Sequence, residues 1–260
     1  MKKGIADILD IHTHKSEVDS LRKSIINYSL LTDSPLYMPL AGNVEVAVDR
    51  GLDFEQSLEL LDEGESLLDR LSDNVFLPRK GYYYTAGIHP WELTEHNAKQ
   101  QLAFLRRQLK HKQFVAVGEA GLDKLAAASM ELQLTMFREQ VRLSENHMLP
   151  LIIHCVKAMD ELLAVKKELH PQLPWIWHGF RGKPEQAAQL LKKGFYLSLG
   201  EYYPDETMQI IPDGGLFLET DNSSLNIEDI LCRAAEVRGV EVEALRETIR
   251  RNIQNVFFKA

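Results

Sequence analysis

The chain has 260 residues, more than the usual single core of about 100–150 but within reach of one β/α barrel, which needs about 250. Its composition, 45% hydrophobic and 26% charged with 15 Gly and 10 Pro, contains no biased tract and excludes a repeat array or a disordered chain. The net charge of −8 opposes sequence-independent adhesion to long duplexes and leaves nucleic acid as a substrate held at one local site. No apolar run approaches the roughly 18–20 residues of a membrane span, and Asp7 stands where a signal peptide would be apolar, so a cytoplasmic protein without membrane contact is expected. Cys155 and Cys232 supply neither a disulfide framework nor zinc-ribbon spacing. No heptad pattern or long apolar helix advertises oligomerisation, and a monomer is the default.

Short β-rich runs alternate with stretches of helical period, the pattern of βαβ units around a parallel sheet. The runs fall at 8–14, 23–30, 82–89, 114–119, 150–155, 175–180, 195–200 and 216–221. For the second, the run 44–49 (VEVAVD) competes with 23–30 (KSIINYSL). The earlier is preferred because the next strand of a barrel should follow soon after the first. That choice leaves roughly 31–80 as an inserted segment, with its own amphipathic run at 54–71. Further on, Ala98, Leu102, Leu105 and Leu109 share one helical face, as do Leu134, Phe137 and Val141, then Leu245, Ile249 and Val256. The expectation is an α/β fold: one (β/α)8 TIM-like barrel over residues 1–260, with the insertion after its second strand.

The chemistry lies at the strand ends. In Asp10-Ile11-His12-Thr13-His14 the two histidines are two apart, so on a strand they project from the same face and can grip one divalent ion. Glu119 closes VAVG, His154 closes PLII, His178 closes WIW, and Asp221 ends LFLET. One such residue is ordinarily a hydrogen-bonded cap or the first solvated residue of a loop. Four histidines and two carboxylates in that position are another matter, because a parallel barrel delivers every carboxyl end to one mouth. His89, in GIHPW, joins them as a residue supporting the ligands or facing substrate. His96, His111, His147 and His170 read as surface residues.

DIHTH, GIHPWEL, VGEAGLDK, MFREQVRLSENHMLPLIIHC, WHGFRG and LFLETD follow one another in an order that resembles the TatD-type metal-dependent hydrolases, a deoxyribonuclease-related family of amidohydrolase-like barrels. The resemblance covers nearly all of the chain except residues 15–80. It implies a barrel holding two divalent ions and hydrolysing phosphodiesters, commonly as a deoxyribonuclease. Carried over, His12, His14 and Asp221 would hold one ion, His154 and His178 the other, and Glu119 would bridge them.

The departures from that family fall on the substrate side. After His154 the chain reads Cys155-Val156-Lys157 where many relatives have an Arg-Asp pair. After His178 it reads Gly179-Phe180-Arg181-Gly182 in place of a Cys-Phe-Ser-Gly turn, and after Asp221 it reads Asn222-Ser223-Ser224 without the usual Arg-Gly and Asn-Glu-Pro loop. Lys124, Lys157 and Arg181 each follow a ligand by three to five residues, so they belong to rim loops where cations can hold substrate phosphates.

Four neutral imidazoles and two carboxylates around two dications leave a formal surplus of about +2, which attracts an anionic diester. Zinc and manganese suit the mixed nitrogen and oxygen donors, and magnesium serves where waters complete its shell. The expected function is a metal-dependent phosphodiesterase or deoxyribonuclease in which a metal-activated hydroxide attacks, Asp221 takes its proton and Glu119 bridges the ions. Single-stranded DNA or short nucleotides are the expected phosphoester substrates. Two alternatives stand beside it: an amide or lactone hydrolase on the same barrel, and a non-catalytic metal-binding relative. Asp10 and Glu219 share the ligands' parity and should support them from one layer below, and Cys155 should pack against a helix.

Overall fold

The computed structural model describes residues 8–14, 24–29 and 82–258. Eight parallel strands close into one ring in sequence order. They are β1 (Asp10–Thr13), β2 (Ser24–Ser29), β3 (Tyr83–Gly87), β4 (Phe114–Asp123), β5 (Leu151–Val156), β6 (Trp175–Trp177), β7 (Phe195–Leu199) and β8 (Leu216–Leu218). The second strand is therefore the KSIINYSL run. The competing run 44–49, the insertion expected over roughly 31–80 and its amphipathic run all lie outside the described residues.

Three strands differ from expectation in ways that matter for the site. β4 does not stop at Glu119 but continues to Asp123, and all ten of its residues are buried. Its pairing with β5 slips between Val117 and Ala120, so Glu119 sits at an irregularity, which re-aims a side chain. β6 ends at Trp177, so His178 is the first residue beyond the strand. β8 ends at Leu218, and Asp221 is joined to the sheet only by an isolated bridge to Thr13.

Among the described residues the helices between strands are α1 (Ala98–Gln108), α2 (Met130–His147), α3 (Met159–Leu169), α4 (Pro184–Lys192) and α5 (Asp205–Ile210), and α6 (Ile227–Arg238) and α7 (Val242–Phe257) follow β8. α2 starts where Ser129 accepts a hydrogen bond from the Leu132 N–H and stops where Met148 turns left-handed. Its expected face is confirmed at Phe137 and Val141, while Leu134 is half-buried. Two glutamines complete that face. Gln133 accepts from the Asp123 N–H and donates to the Asp123 carbonyl, and Gln140 does the same at Ile88. Each amide thus satisfies both backbone groups of a residue at a strand's exit, where the ladder gives out. α2 in this way fixes the turn after β3 that carries His89 and the end of β4 that carries Asp123.

β8 meets β1 through few ladder contacts, a single Cα register pair at Asp10 and Leu218. The join is reinforced by Asp10, whose buried carboxylate accepts from the His12 N–H, the Ser24 hydroxyl, and both the N–H and hydroxyl of Thr220. Burial pushes its pKa up to about 7 in spite of those donors. Among the described residues no helix is long and apolar enough to cross a membrane.

Candidate metal centre

Glu119 is the middle of the site. Its Oε2 faces His12 Nε2 at 3.3 Å and His14 Nε2 at 3.4 Å, both from β1 and the residue after it. Its Oε1 faces His178 Nε2 at 2.6 Å, His154 Nδ1 at 3.2 Å and His89 Nε2 at 3.5 Å. One carboxylate therefore presents each oxygen to a different group of imidazoles. Asn27 of β2, itself held by the Thr85 hydroxyl, donates to Oε2. Asp221 closes the first group, with Oδ1 at 3.9 Å from His12 and 3.7 Å from His14. Its backbone is left-handed (φ 48°), and its N–H donates to the His12 carbonyl.

Three sets of potential ligand atoms lie within 4.8 Å of one another: His12, His14 and Glu119; His89, Glu119 and His154; and His178, Glu219 and Asp221. All six expected ligands thus converge. His89 stands closer than expected, as a full member of the second set. Two buried carboxylates support the imidazoles. Glu219 Oε1 accepts from the Gly179 N–H at 2.6 Å and faces His178 Nδ1 at 3.4 Å. Asp123 Oδ2 faces His154 Nε2 at 3.0 Å and accepts from the Trp91 indole N–H at 2.7 Å. Such contacts fix which ring nitrogen carries the proton and which is left to face Glu119.

The electrostatics are those of a site built for cations. Burial would raise Glu119, but the imidazoles of His178 and His12 hold it well below the usual carboxylate range. Burial would lower His178, but Glu119 and Glu219 hold its imidazolium well above the ordinary value. His14 is raised too, with Glu119 outweighing burial. His12 is fully buried: its Nε2 meets Glu119 Oε2 at 3.3 Å, while its Nδ1 has no hydrogen-bond partner, a costly condition for a polar ring atom. This donor set fits divalent ions.

A pH dependence follows. In the metal-free protein His178 keeps its proton from its ordinary 6.5 up to its raised value, and a metal needs the neutral ring. Metal affinity should therefore rise with pH across that window, about tenfold per unit, and level off above it. Calorimetric zinc titrations at about pH 6 and about pH 8, in buffers of different ionisation enthalpy, should show proton release at the lower pH; an affinity flat across that range would contradict it.

The rim cations part company. Arg181 lies over the Tyr202 ring at 5.3 Å and lines a cavity of about 380 Å³ that reaches Asp221. Lys124 is tied to Glu161 at 2.6 Å, a partner from α3 that is distant in sequence. Lys157 is exposed on a left-handed residue. Cys155 is half-buried, and burial pushes its thiol up to about 12, which leaves it inert. Sequence reasoning missed Asp123, although its parity with Glu119 in Glu119-Ala120-Gly121-Leu122-Asp123 puts both on one strand face.

Comparison with known proteins places this arrangement. Residues 77–258 match the family described as TatD related DNase. A Bacillus subtilis protein named as the uncharacterized metal-dependent hydrolase YabD is 32% identical over 148 residues, 54% of this chain and 58% of that protein, so the chain spans just over half of that relative's length. The 3'-5' ssDNA/RNA exonuclease TatD of Cronobacter sakazakii is 29% identical over 228 residues, 77% of this chain and 86% of that protein. Among solved structures, the TatD homologue YJJV of Escherichia coli K12 shares the fold at a TM-score of 0.69 and 19% identity, covering 98% of this chain and 100% of that one.

Proposed function

The chain belongs to the TatD-related DNase family of metal-dependent hydrolases, and from that membership we propose a two-metal phosphodiesterase that acts on single-stranded nucleic acid. The observation that carries the reading is the division of Glu119, one oxygen toward His12 and His14 and the other toward His89, His154 and His178. In this reading His12, His14 and Asp221 would hold one ion, His154 and His178 the other, and Glu119 would be shared between them. Zinc or manganese suits the imidazole-rich set, with magnesium a poorer match. Bound ions supply Lewis acidity to a phosphoryl oxygen and lower the pKa of water.

The protein's own groups do the rest. Asp221 borders the open cavity and is half-exposed, where a carboxylate can accept the proton of an attacking water. His89 faces the Glu119 oxygen shared with His154 and His178 from the β3 side, placed to orient a substrate oxygen. Arg181 stands at the cavity wall, where its guanidinium can pair with a neighbouring phosphate. Asp123 and Glu219 keep the imidazoles in register. The nucleic-acid specificity follows the names of the relatives, since the TatD proteins of Cronobacter and Erwinia are named as single-stranded DNA and RNA exonucleases.

The test uses a base-free diester, bis(p-nitrophenyl) phosphate, and a single-stranded oligonucleotide. The purified protein should carry divalent metal, lose hydrolysis of both compounds on chelation and regain it with zinc or manganese. Hydrolysis that survives complete metal removal, or a metal-loaded protein that cleaves no diester, would overturn the reading.

A further inference from the structure

Among the described residues six large apolar side chains are left exposed, and the two aromatic ones, Trp91 at 66% and Tyr202 at 59%, both follow strands at the barrel's carboxyl rim. Neither of these is loose. Trp91 is anchored by its edge: its indole N–H donates to buried Asp123, and its ring stands against His89 and His154 with centroids 5.4 and 6.1 Å away. Tyr202 is anchored by Arg181, whose guanidinium lies 5.3 Å from the ring centroid, beside the cavity of about 380 Å³ that extends to Asp221.

The topology gives their relation. Trp91 comes shortly after β3 and Tyr202 shortly after β7. In a closed ring of eight strands in sequence order, β3 and β7 are four places apart whichever way they are counted, so they are diametrically opposed. The histidines around Glu119 lie between them. Two anchored rings on opposite sides of a cation-binding centre match the way proteins hold unpaired strands, with bases on aromatic faces and phosphates near positive charge.

We propose that Trp91 and Tyr202 are stacking platforms for two bases of one single strand that crosses the barrel mouth, with a phosphodiester of the stretch between them lying over Glu119 and Asp221. This rests on the phosphodiesterase reading above. Bases of a duplex are already stacked on each other and offer these rings no face, so the substrate is unpaired. The cavity beside Tyr202 is at the small end of the roughly 300–1,000 Å³ range of ligand sites and takes one nucleotide rather than a run. Arg181 lies over the Tyr202 ring, which is still 59% exposed and so has surface to offer a base, while the guanidinium charge stays available to a phosphate.

The test crosses substrate and protein changes. The zinc-loaded protein is titrated with a thymidylate trimer and with analogues abasic at either terminal unit, reading KM, kcat and quenching of tryptophan fluorescence, for which Trp91 is the exposed reporter and Trp175 and Trp177 are buried. The protein as it stands should prefer the base-bearing trimer by roughly five- to 150-fold per stacked base. Tyr202→Ala should erase the preference at one terminus and Trp91→Ala at the other, with Tyr202→Phe and Trp91→Phe restoring it. Because Trp91→Phe keeps the ring and removes the donor to Asp123, a merely supporting Trp91 would weaken all substrates alike and would not be rescued. The proposal is overturned if the alanine variants keep the base preference, or if the intact protein has none. Failure to cleave even bis(p-nitrophenyl) phosphate would count against the phosphodiesterase reading alone, since base-dependent quenching still decides the stacking.

Discussion

Glu119→Gln should lower metal-dependent turnover by at least about a thousandfold and reduce the bound metal to one ion or none per chain. An amide is nearly isosteric with the carboxylate, so the change is electronic. Glutamine presents one acceptor and one N–H₂, and whichever way it turns, a donor faces one of the two groups of imidazoles that the carboxylate oxygens now divide. The negative charge that holds two cations side by side is lost as well. His178, held protonated largely by Glu119, should then titrate lower, because burial is the larger influence left on it. Metal analysis of the purified variant, hydrolysis of bis(p-nitrophenyl) phosphate and a thermal melt separate lost chemistry from lost fold. Full metal content with turnover within about tenfold of the parent would remove Glu119 from the bridging position.

Gly121→Ala should cost about 3 kcal/mol or more, among the large effects for a single methyl group. A β-carbon at Gly121 would stand 1.8 Å from the His154 carbonyl oxygen and 2.7 Å from its carbonyl carbon. Both atoms belong to backbone that Gly121 pairs with directly, so no side chain can swing aside. β4 and β5 would have to part where one carries Glu119 and Asp123 and the other His154. The melting temperature should fall by roughly 6–12 °C, at about 2–4 °C for each kcal/mol in a protein of this size, and zinc should bind more weakly. A melting temperature within about a degree of the parent would mean that the two strands do not approach as closely as described.

The barrel was legible because its signals are local and repeated: β-branched runs, helical stretches between them, and a His-x-His whose spacing assigns both rings to one face. Convergence of the six candidate side chains then needed only the rule that parallel strands deliver their ends to one rim. What escaped the sequence depended on partners far along the chain. Glu119 was read as a strand end because a carboxylate usually marks the return to solvent, yet β4 runs on, since five imidazoles and Asn27 satisfy that charge inside. Gln133 and Gln140 break the apolar face of α2 in the sequence, but they are buried because they complete the backbone hydrogen bonds of Asp123 and Ile88. Lys124 follows Glu119 by five residues, and only the folded chain reveals Glu161 beside it. Trp91 and Tyr202 carry no spacing signal at all, because their relation is set by the circumference of the ring.

That ring is completed by Asp10 clasping Thr220 across 210 residues of chain. On the ribosome, at about 5–20 residues per second, β1 would wait roughly 10–40 s for its second neighbour to be made. Through that interval the growing polypeptide is a curved ribbon with one unmated border, and His12 and His14 sit beside it. The hydrolytic centre cannot assemble early on a fragment: cleaving power would arrive only with the closing strand, after the stretch of synthesis in which the open border is most exposed to neighbouring chains.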